Sequence, residues 1–346
     1  MFNNKFDTIE VELTQGCPLK CKHCFAEKLF GPMSETTFNN MIDFLIDISA
    51  TTSEPKLNIV LTGGEPGTFD MVLLKNGLTR LKENAKNKIY IIFQTSLLYT
   101  LTPEHFDLFN ICDMIGVSWD YKGRYKSIDK ELIFFENLAK VKALNKEMGM
   151  IISMTDVIVK EVPPEMLMSF ILSTGIKHFD INRLFTPLTT DKETFRKQMS
   201  VTNKEIREYQ FQLFKLYDQI KEKAGLYFFD FECLIDGLNG SNHNQYSKIC
   251  PTHLIHINAA GEIMRCMDIS GCNFGNVNTK SFDKEKYEAV VAEHKKYIEP
   301  ECKGCKYFSA CQCGCPWMYR DETGCSVPYK IIDYLKLKDT MKEEQR

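Results

Sequence analysis

Strand-like and helix-like segments alternate through the first half of this sequence, and that alternation restricts the fold more than any other feature. Runs rich in β-branched and aromatic residues lie near 9–14, 57–62, 88–94, 113–119, 149–159 and 178–184, a spacing of roughly thirty residues. Between them the apolar period changes from two to that of a helix. Residues 34–50 place Phe38, Met41, Ile42, Leu45 and Ile48 on one helical face behind a Ser34 cap. Residues 102–110 begin on Thr102 and Pro103, where a missing N–H costs nothing, and 163–175 begin on prolines and stop at Gly175. Six βα units in series predict an α/β fold built on a parallel sheet, either curled into a partial (β/α)6 barrel or left open and doubly wound.

The pattern changes after residue 185. A long helix is predicted over 201–225, then a strand over 226–232, then a hairpin over 254–266 turning through Ala259, Ala260 and Gly261. With 346 residues, 44% of them hydrophobic, the chain has material for one large core and a smaller attached module. The expected division is 1–230 for the βα part, 231–328 for a loop-rich α+β module and 329–346 for a closing helix. A module so poor in regular structure needs staples.

Charge and hydropathy narrow the functional classes. The 43 basic and 46 acidic residues are interspersed and give a net charge of −3, with no basic face of the kind nucleic acid selects. The longest apolar runs, such as 89–93 and 148–154, fall far short of the ~20 residues of a membrane helix. No export signal opens the chain, so a cytoplasmic protein is expected. Fourteen cysteines are the outlier, and in a reducing compartment they point to metal or redox chemistry rather than disulfides.

Three of them, Cys17, Cys21 and Cys24, follow the first predicted strand with the spacing C-x3-C-x2-C. A tetrahedral zinc site would need a fourth ligand, and the adjacent His23 and Cys24 are badly placed to share one ion. A four-iron cubane fits the count better. Three thiolates leave one iron open, and an open position means chemistry.

With an aromatic ring at position 23 replaced by His23, and Phe25 following, this cluster resembles the signature of radical S-adenosylmethionine (SAM) enzymes. The resemblance implies that the open iron binds SAM and that its reductive cleavage yields a radical able to take a hydrogen atom from carbon. Other segments resemble the same family. Gly63, Gly64, Glu65 and Pro66 end the second strand like the motif that holds the SAM amino group. Thr95 lies in the loop after the third strand. Ser118 and Asp120 resemble a ribose site, although both residue types also cap turns, and Arg183 is in position to meet the SAM carboxylate. All lie at the carboxyl ends of predicted parallel strands, where such folds place their sites.

Near the other end, Cys250, Cys266, Cys302, Cys305, Cys311, Cys315 and Cys325 follow a spacing similar to the SPASM extension of radical SAM enzymes, which holds two auxiliary clusters. A zinc ribbon is the simpler reading of Cys302 and Cys305 alone. The resemblance implies an outer cluster on Cys302, Cys305, Cys311 and Cys325 and an inner one on Cys250, Cys266 and Cys315, hence three [4Fe-4S] clusters with SAM as cofactors. The fourth inner ligand is either Cys233 or absent, leaving an iron open to substrate. Cys272 and Cys313 lie outside the pattern, as buried small side chains, alternate ligands or hydrogen-atom donors. Asp268 is offset from where anaerobic sulfatase maturases carry an aspartate base, and a turn aspartate is the alternative.

The family resemblance implies a peptide or protein substrate that is oxidised or cross-linked, with a small-molecule dehydrogenase or epimerase as the alternative. An iron–sulfur or zinc protein without turnover is a third reading. An electron donor such as flavodoxin or ferredoxin is implied. Few residues precede the first strand, so a peptide substrate is expected to rely on a separate leader-binding protein or on a pocket that reads the core sequence.

Overall fold

In strand β1 (Thr8–Thr14), Ile9, Val11 and Leu13 are fully buried while Glu10, Glu12 and Thr14 line the opposite face, as the two-residue period of a strand dictates. The same alternation builds β2 (Lys56–Gly63) and β3 (Lys88–Thr95), whose Leu57, Ile59, Leu61, Ile91 and Phe93 are fully buried. Each strand gives way to a helix: α1 (Glu35–Ser49), α2 (Met71–Asn84), α3 (Pro103–Ile111), then β4 (Met114–Ser118) and α4 (Ile128–Lys142), then β5 (Glu147–Ser153) with α5 (Asp156–Glu161) and α6 (Pro164–Thr174), then β6 (His178–Asn182). This computed structural model describes residues 6–24, 26, 30–185, 192–239, 253–266, 272–296, 300–311 and 320–344. The α/β class, with parallel strands at its centre, agrees with the sequence pattern.

Local signals set most boundaries. Ser34 Oγ accepts the Thr37 N–H at 3.1 Å to start α1, and Gly175 ends α6 with φ of 71°. The helix expected over 201–225 runs from Asn203 to Ala224 as α8, after α7 (Lys192–Met199). Thr202 and Glu205 form a capping box at its start and Gly225 sits at φ 61° beyond its end. Two expectations fail. The strand predicted over 149–159 stops at Ser153, because Thr155 caps the Ile158 N–H and turns Asp156–Glu161 into α5. The apolar run at 226–232 forms a strand only over β7 (Tyr227–Phe228) and then a helix, α9 (Phe229–Leu238). Period alone does not distinguish a short buried strand from a helix turn.

The chain divides into two compact units. The first comprises Met1–Ser118, Arg124–Met148 and Pro251–His294. Its parallel strands run β8-β1-β2-β3-β4, where β8 (Leu254–Ile257) pairs with β1 through the register Thr8 to Leu254 and Glu10 to His256. Beyond β8, strands β9 (Glu262–Met264), β10 (Asn273–Asn276) and β11 (Ser281–Phe282) continue the sheet antiparallel. The expected hairpin is present as β8 and β9. Phe6, Phe274, Phe282 and Tyr287 pack ring against ring beside it.

The second unit comprises Trp119–Gly123, Gly149–Cys250 and Lys295–Arg346, with β5, β6 and β7 parallel in that order. Phe214, Tyr217, Phe228 and Phe231 form its aromatic core. Among the described residues, no helix is long and apolar enough to cross a membrane.

The loop after β3 depends on one side chain of α4. Leu97 is held at φ 53°, a conformation unfavourable for a branched side chain, and Asn137 Nδ2 donates to both Leu97 O (2.9 Å) and Tyr99 O (2.8 Å) from a site 4% exposed. Replacing Asn137 with alanine leaves two carbonyls unsatisfied. It is expected to lower unfolding free energy by about 2 to 4 kcal/mol, measured by denaturant titration.

Candidate functional site

The carboxyl ends of β1 and β2 are joined backbone to backbone. Gly64 N–H donates to Thr14 O at 2.6 Å and Glu65 N–H to Gly16 O at 2.8 Å. A side chain at Gly63 would place its Cβ 2.2 Å from Thr14 O, and one at Gly64 would lie 2.2 Å from Gly16 O. Gly63 also sits at φ 127°. The glycine pair is therefore required by the segment that leads into Cys17. Thr14 Oγ1 accepts the Gly16 N–H at 3.0 Å, fixing the turn from strand to loop.

Cys17, Cys21 and Cys24 follow, all half-buried. Leu19 N–H points at Cys17 Sγ at 3.4 Å, and Cys24 N–H donates to Cys21 O at 3.3 Å. Among the described residues no group of three His, Cys, Asp or Glu side chains is gathered to hold a metal ion. A cubane asks for something else, soft thiolates at separate corners with hydrogen bonds to sulfur, and three partly accessible thiols with an N–H aimed at one of them fit that group. His23 is 8% exposed, and Phe25 lies outside the described residues.

Glu65 is the most heavily bonded side chain of this region, at 1% exposure. Its Oε1 accepts from Gly67 N (3.0 Å) and Thr95 Oγ1 (2.7 Å), and its Oε2 from Ser96 N (2.8 Å) and Ser96 Oγ. Pro66, with no N–H to satisfy, starts the short helical turn that follows. Thr95 thus contributes its hydroxyl to the carboxylate of the preceding loop. Ser118 Oγ accepts from Gln94 Nε2 at 2.9 Å, and Tyr125 Oη lies 2.7 Å from Ser96 O and 2.9 Å from Ser118 O, tying the ends of β3 and β4. Cys112 precedes β4 and is fully buried, which pushes its thiol up to about 12.

A cluster that the sequence reading missed lies on the polar face of β1. His256, 1% exposed, places Nδ1 3.6 Å from Glu10 Oε2 and Nε2 3.9 Å from Glu12 Oε2. Burial opposes its charge, but the two carboxylates outweigh that and raise it to about 9. The signal was present in the sequence as two glutamates two residues apart inside an otherwise apolar strand.

In the second unit, Asp120 is fully buried and accepts Ser153 N–H at 2.7 Å, and Arg183 is 4% exposed at the end of β6. Nearby, burial and then the charge of Asp230 raise the Asp180 carboxyl far above its ordinary range, while Asp230 accepts Ile181 N–H at 2.7 Å. Cys302, Cys305, Cys311 and Cys325 line one cavity of about 220 Å³ together with Arg207 and Arg320. Arg207 donates to Cys325 O and Thr323 O, and Asn203 Nδ2 donates to Gly324 O at 2.8 Å, so the first turns of α8 hold the Cys325 segment in place. Glu301, paired to Arg320, lines the same cavity, and four cysteines so grouped fit the thiolate set of an iron–sulfur cluster.

Cys233 is buried in α9 in the second unit, whereas Cys266 and Cys272 are half-buried at the ends of β9 and β10 in the first. Cys250, Asp268, Cys313 and Cys315 lie outside the described residues.

A family of 4Fe-4S single cluster domains matches residues 10–138. No curated protein matches the chain. Among solved structures, native anSMEcpe with bound AdoMet superposes with a TM-score of 0.76 at 17% identity, covering 94% of this chain and 95% of that one. Native anSMEcpe with AdoMet and the Cp18Cys peptide gives 0.77 at 17% identity over 94% of each. SuiB of Streptococcus suis bound to its precursor peptide SuiA gives 0.62 at 15% identity, covering 93% of this chain and 76% of that one.

The charge on His256 carries a pH signature. Its stabilisation is complete below its ordinary value of 6.5 and is lost as pH rises through about 9. Denaturant titrations from pH 6 to pH 10 are expected to lose stability over that window in the wild-type protein, with the difference absent in His256→Gln. At these identities the likeness to known structures is one of architecture, and the chain has the fold of anSMEcpe and SuiB.

Proposed function

We propose that this chain is a radical SAM enzyme that modifies a ribosomally made peptide by oxidation or cross-linking. The observation that carries this reading is the likeness over 94% of the chain to anSMEcpe bound to AdoMet and a peptide, joined to three thiols on the loop after β1. Cys17, Cys21 and Cys24 hold the SAM-binding cluster. Reductive cleavage of SAM, giving a carbon radical that removes a substrate hydrogen, is the chemistry such a cluster supplies when bound.

The chain's own residues do the positioning. Gly63 and Gly64 let the loop after β2 lie against the cysteine loop, and Glu65 fixes that loop to Thr95 and Ser96. His23, Phe25, Pro66, Ser118, Asp120 and Arg183 are proposed as the remaining SAM contacts. Cys302, Cys305, Cys311 and Cys325 hold an auxiliary cluster in the cavity they line, and Cys250, Cys266 and Cys315 hold another, with Cys233 as candidate fourth ligand. After hydrogen abstraction an oxidation needs a second electron removed, which suits auxiliary clusters. It also needs a proton acceptor or a hydrogen-atom donor, for which Asp268, Cys272 and Cys313 are the candidates. A low-potential donor such as flavodoxin or ferredoxin completes the set.

Anaerobically reconstituted protein is expected to hold about twelve irons per chain. Replacing Cys17, Cys21 and Cys24 with alanine should abolish SAM cleavage and remove about four of them. A fully active preparation with about four irons in all would overturn the three-cluster assignment. The substrate class is tested by incubating enzyme, SAM and reductant with a size-fractionated host extract and following 5′-deoxyadenosine. Stimulation confined to a protease-sensitive fraction is the expected result. Stimulation by a protease-resistant small-molecule fraction would move the assignment to a dehydrogenase or epimerase.

A further inference from the structure

Buried Glu12 and His256, with half-buried Glu10 beside them, have no part in the roles above, yet they are joined to the cysteine loop by a short chain of contacts. Glu12, 4% exposed, accepts from Gln15 Nε2 at 2.9 Å, and Gln15 Oε1 accepts the Phe30 N–H at 2.8 Å. Gln15 and Phe30 flank the segment that carries Cys17, Cys21 and Cys24. Met33 N–H to Leu13 O at 2.8 Å and the bridge between Thr14 and Pro32 close the same neck.

Hydrogen-bond chemistry gives the chain a direction. A carboxylate only accepts, so Gln15 must turn its NH2 group towards Glu12, and its carbonyl oxygen is then obliged to face Phe30. Phe30 N–H, which only donates, fixes the same orientation from the other side, so an uncharged acceptor at position 12 keeps the amide aligned, whereas a buried carboxylate stripped of its cation does not stay in place. Glu12 in turn is a buried acid in a strand, a costly arrangement without a cation. His256 supplies one from the neighbouring strand. Neither ring nitrogen has a hydrogen-bond partner among the described residues, so its contacts with Glu10 and Glu12 at 3.6 and 3.9 Å are charge pairs. Across the β8–β9 pairing, the residue opposite His256 is Met264, which brings no charge.

We propose that His256 and Glu12 are positioning residues, which orient Gln15 and through it hold the neck of the loop that carries Cys17, Cys21 and Cys24. The inference rests on the assignment of those cysteines to a cluster, but the geometry it concerns exists without iron. A segment from the carboxyl-terminal half of the chain thereby sets the order of the amino-terminal cysteine loop.

The test is amide hydrogen exchange on iron-free full-length protein, read at residues 17–24, with the β3 amides as internal control. Gln15→Ala and His256→Gln are each expected to speed exchange at 17–24 by about tenfold while β3 is unchanged. The double variant Glu12→Gln with His256→Gln, which removes acid and cation together, should return to within about threefold of wild type. That recovery is what charge pairing predicts and mere loss of packing does not. Wild-type exchange at 17–24 in Gln15→Ala would overturn the tie. If His256→Gln folds and exchanges like wild type, or the double variant is as fast as His256→Gln alone, the role of His256 is overturned. Should His256→Gln fail to fold, Gln15→Ala and the double variant still decide. Failure of the cluster assignment is separate and would be seen as unchanged iron content when Cys17, Cys21 and Cys24 are replaced by alanine.

Discussion

The paired backbone bonds from Gly64 and Glu65 to Thr14 and Gly16 are the constraint on which the first unit's site depends. They set the loop after β2 directly against the loop of the first three cysteines, and the 2.2 Å approaches at Gly63 and Gly64 leave no room for a side chain. Glu65 then carries the constraint outwards. Its four accepted hydrogen bonds fix Gly67, Thr95 and Ser96, and Tyr125 extends the set to Ser118. Three strand ends are thus referred to one backbone contact. Preorganisation of this kind costs nothing at the moment a ligand binds, because the dipoles are already aimed.

The second unit solves a similar problem with side chains instead of backbone. Around the cavity of Cys302, Cys305, Cys311 and Cys325, regular structure is sparse, and the segment from Arg320 to Cys325 is a pair of two-residue strands. Its carbonyls are held by Arg207 and Asn203 of a 22-residue helix, whose own start is fixed by the Thr202 capping box. A rigid helix lends order to a loop that has no core of its own. Arg207 also stacks on Tyr329, so the cation is positioned from two sides.

Much of this was legible in the sequence because it is governed by local rules. Caps at Ser34 and Thr102, the stop at Gly175, and the alternation in β1 to β4 are each decided by a few neighbouring residues. Cys302, Cys305, Cys311 and Cys325, which spacing and resemblance set together, line one cavity. What could not be read was decided by distant partners. Residues 226–232 have the composition of a strand, but after Phe228 they turn into α9, whose Phe231 packs on Phe214 and Tyr217 of α8. The pairing of β8 with β1 leaves no trace in local period. Glu12 and His256 therefore looked unrelated, being 244 positions apart in the chain and adjacent only once the sheet exists.

That pairing also bears on how the protein is made. β1 leaves the ribosome well before the strand that covers one of its edges, Leu254–Ile257, which is synthesised roughly a dozen seconds or more later at ordinary elongation rates. Until then the edge next to the cysteine loop is an open ladder of N–H and C=O groups, the kind of surface that recruits other strands. Glu10 and Glu12 meanwhile lack their cation, and two neighbouring acids on a bare strand discourage such pairing. The same carboxylates that need His256 in the finished protein thus serve as gatekeepers of the unfinished one.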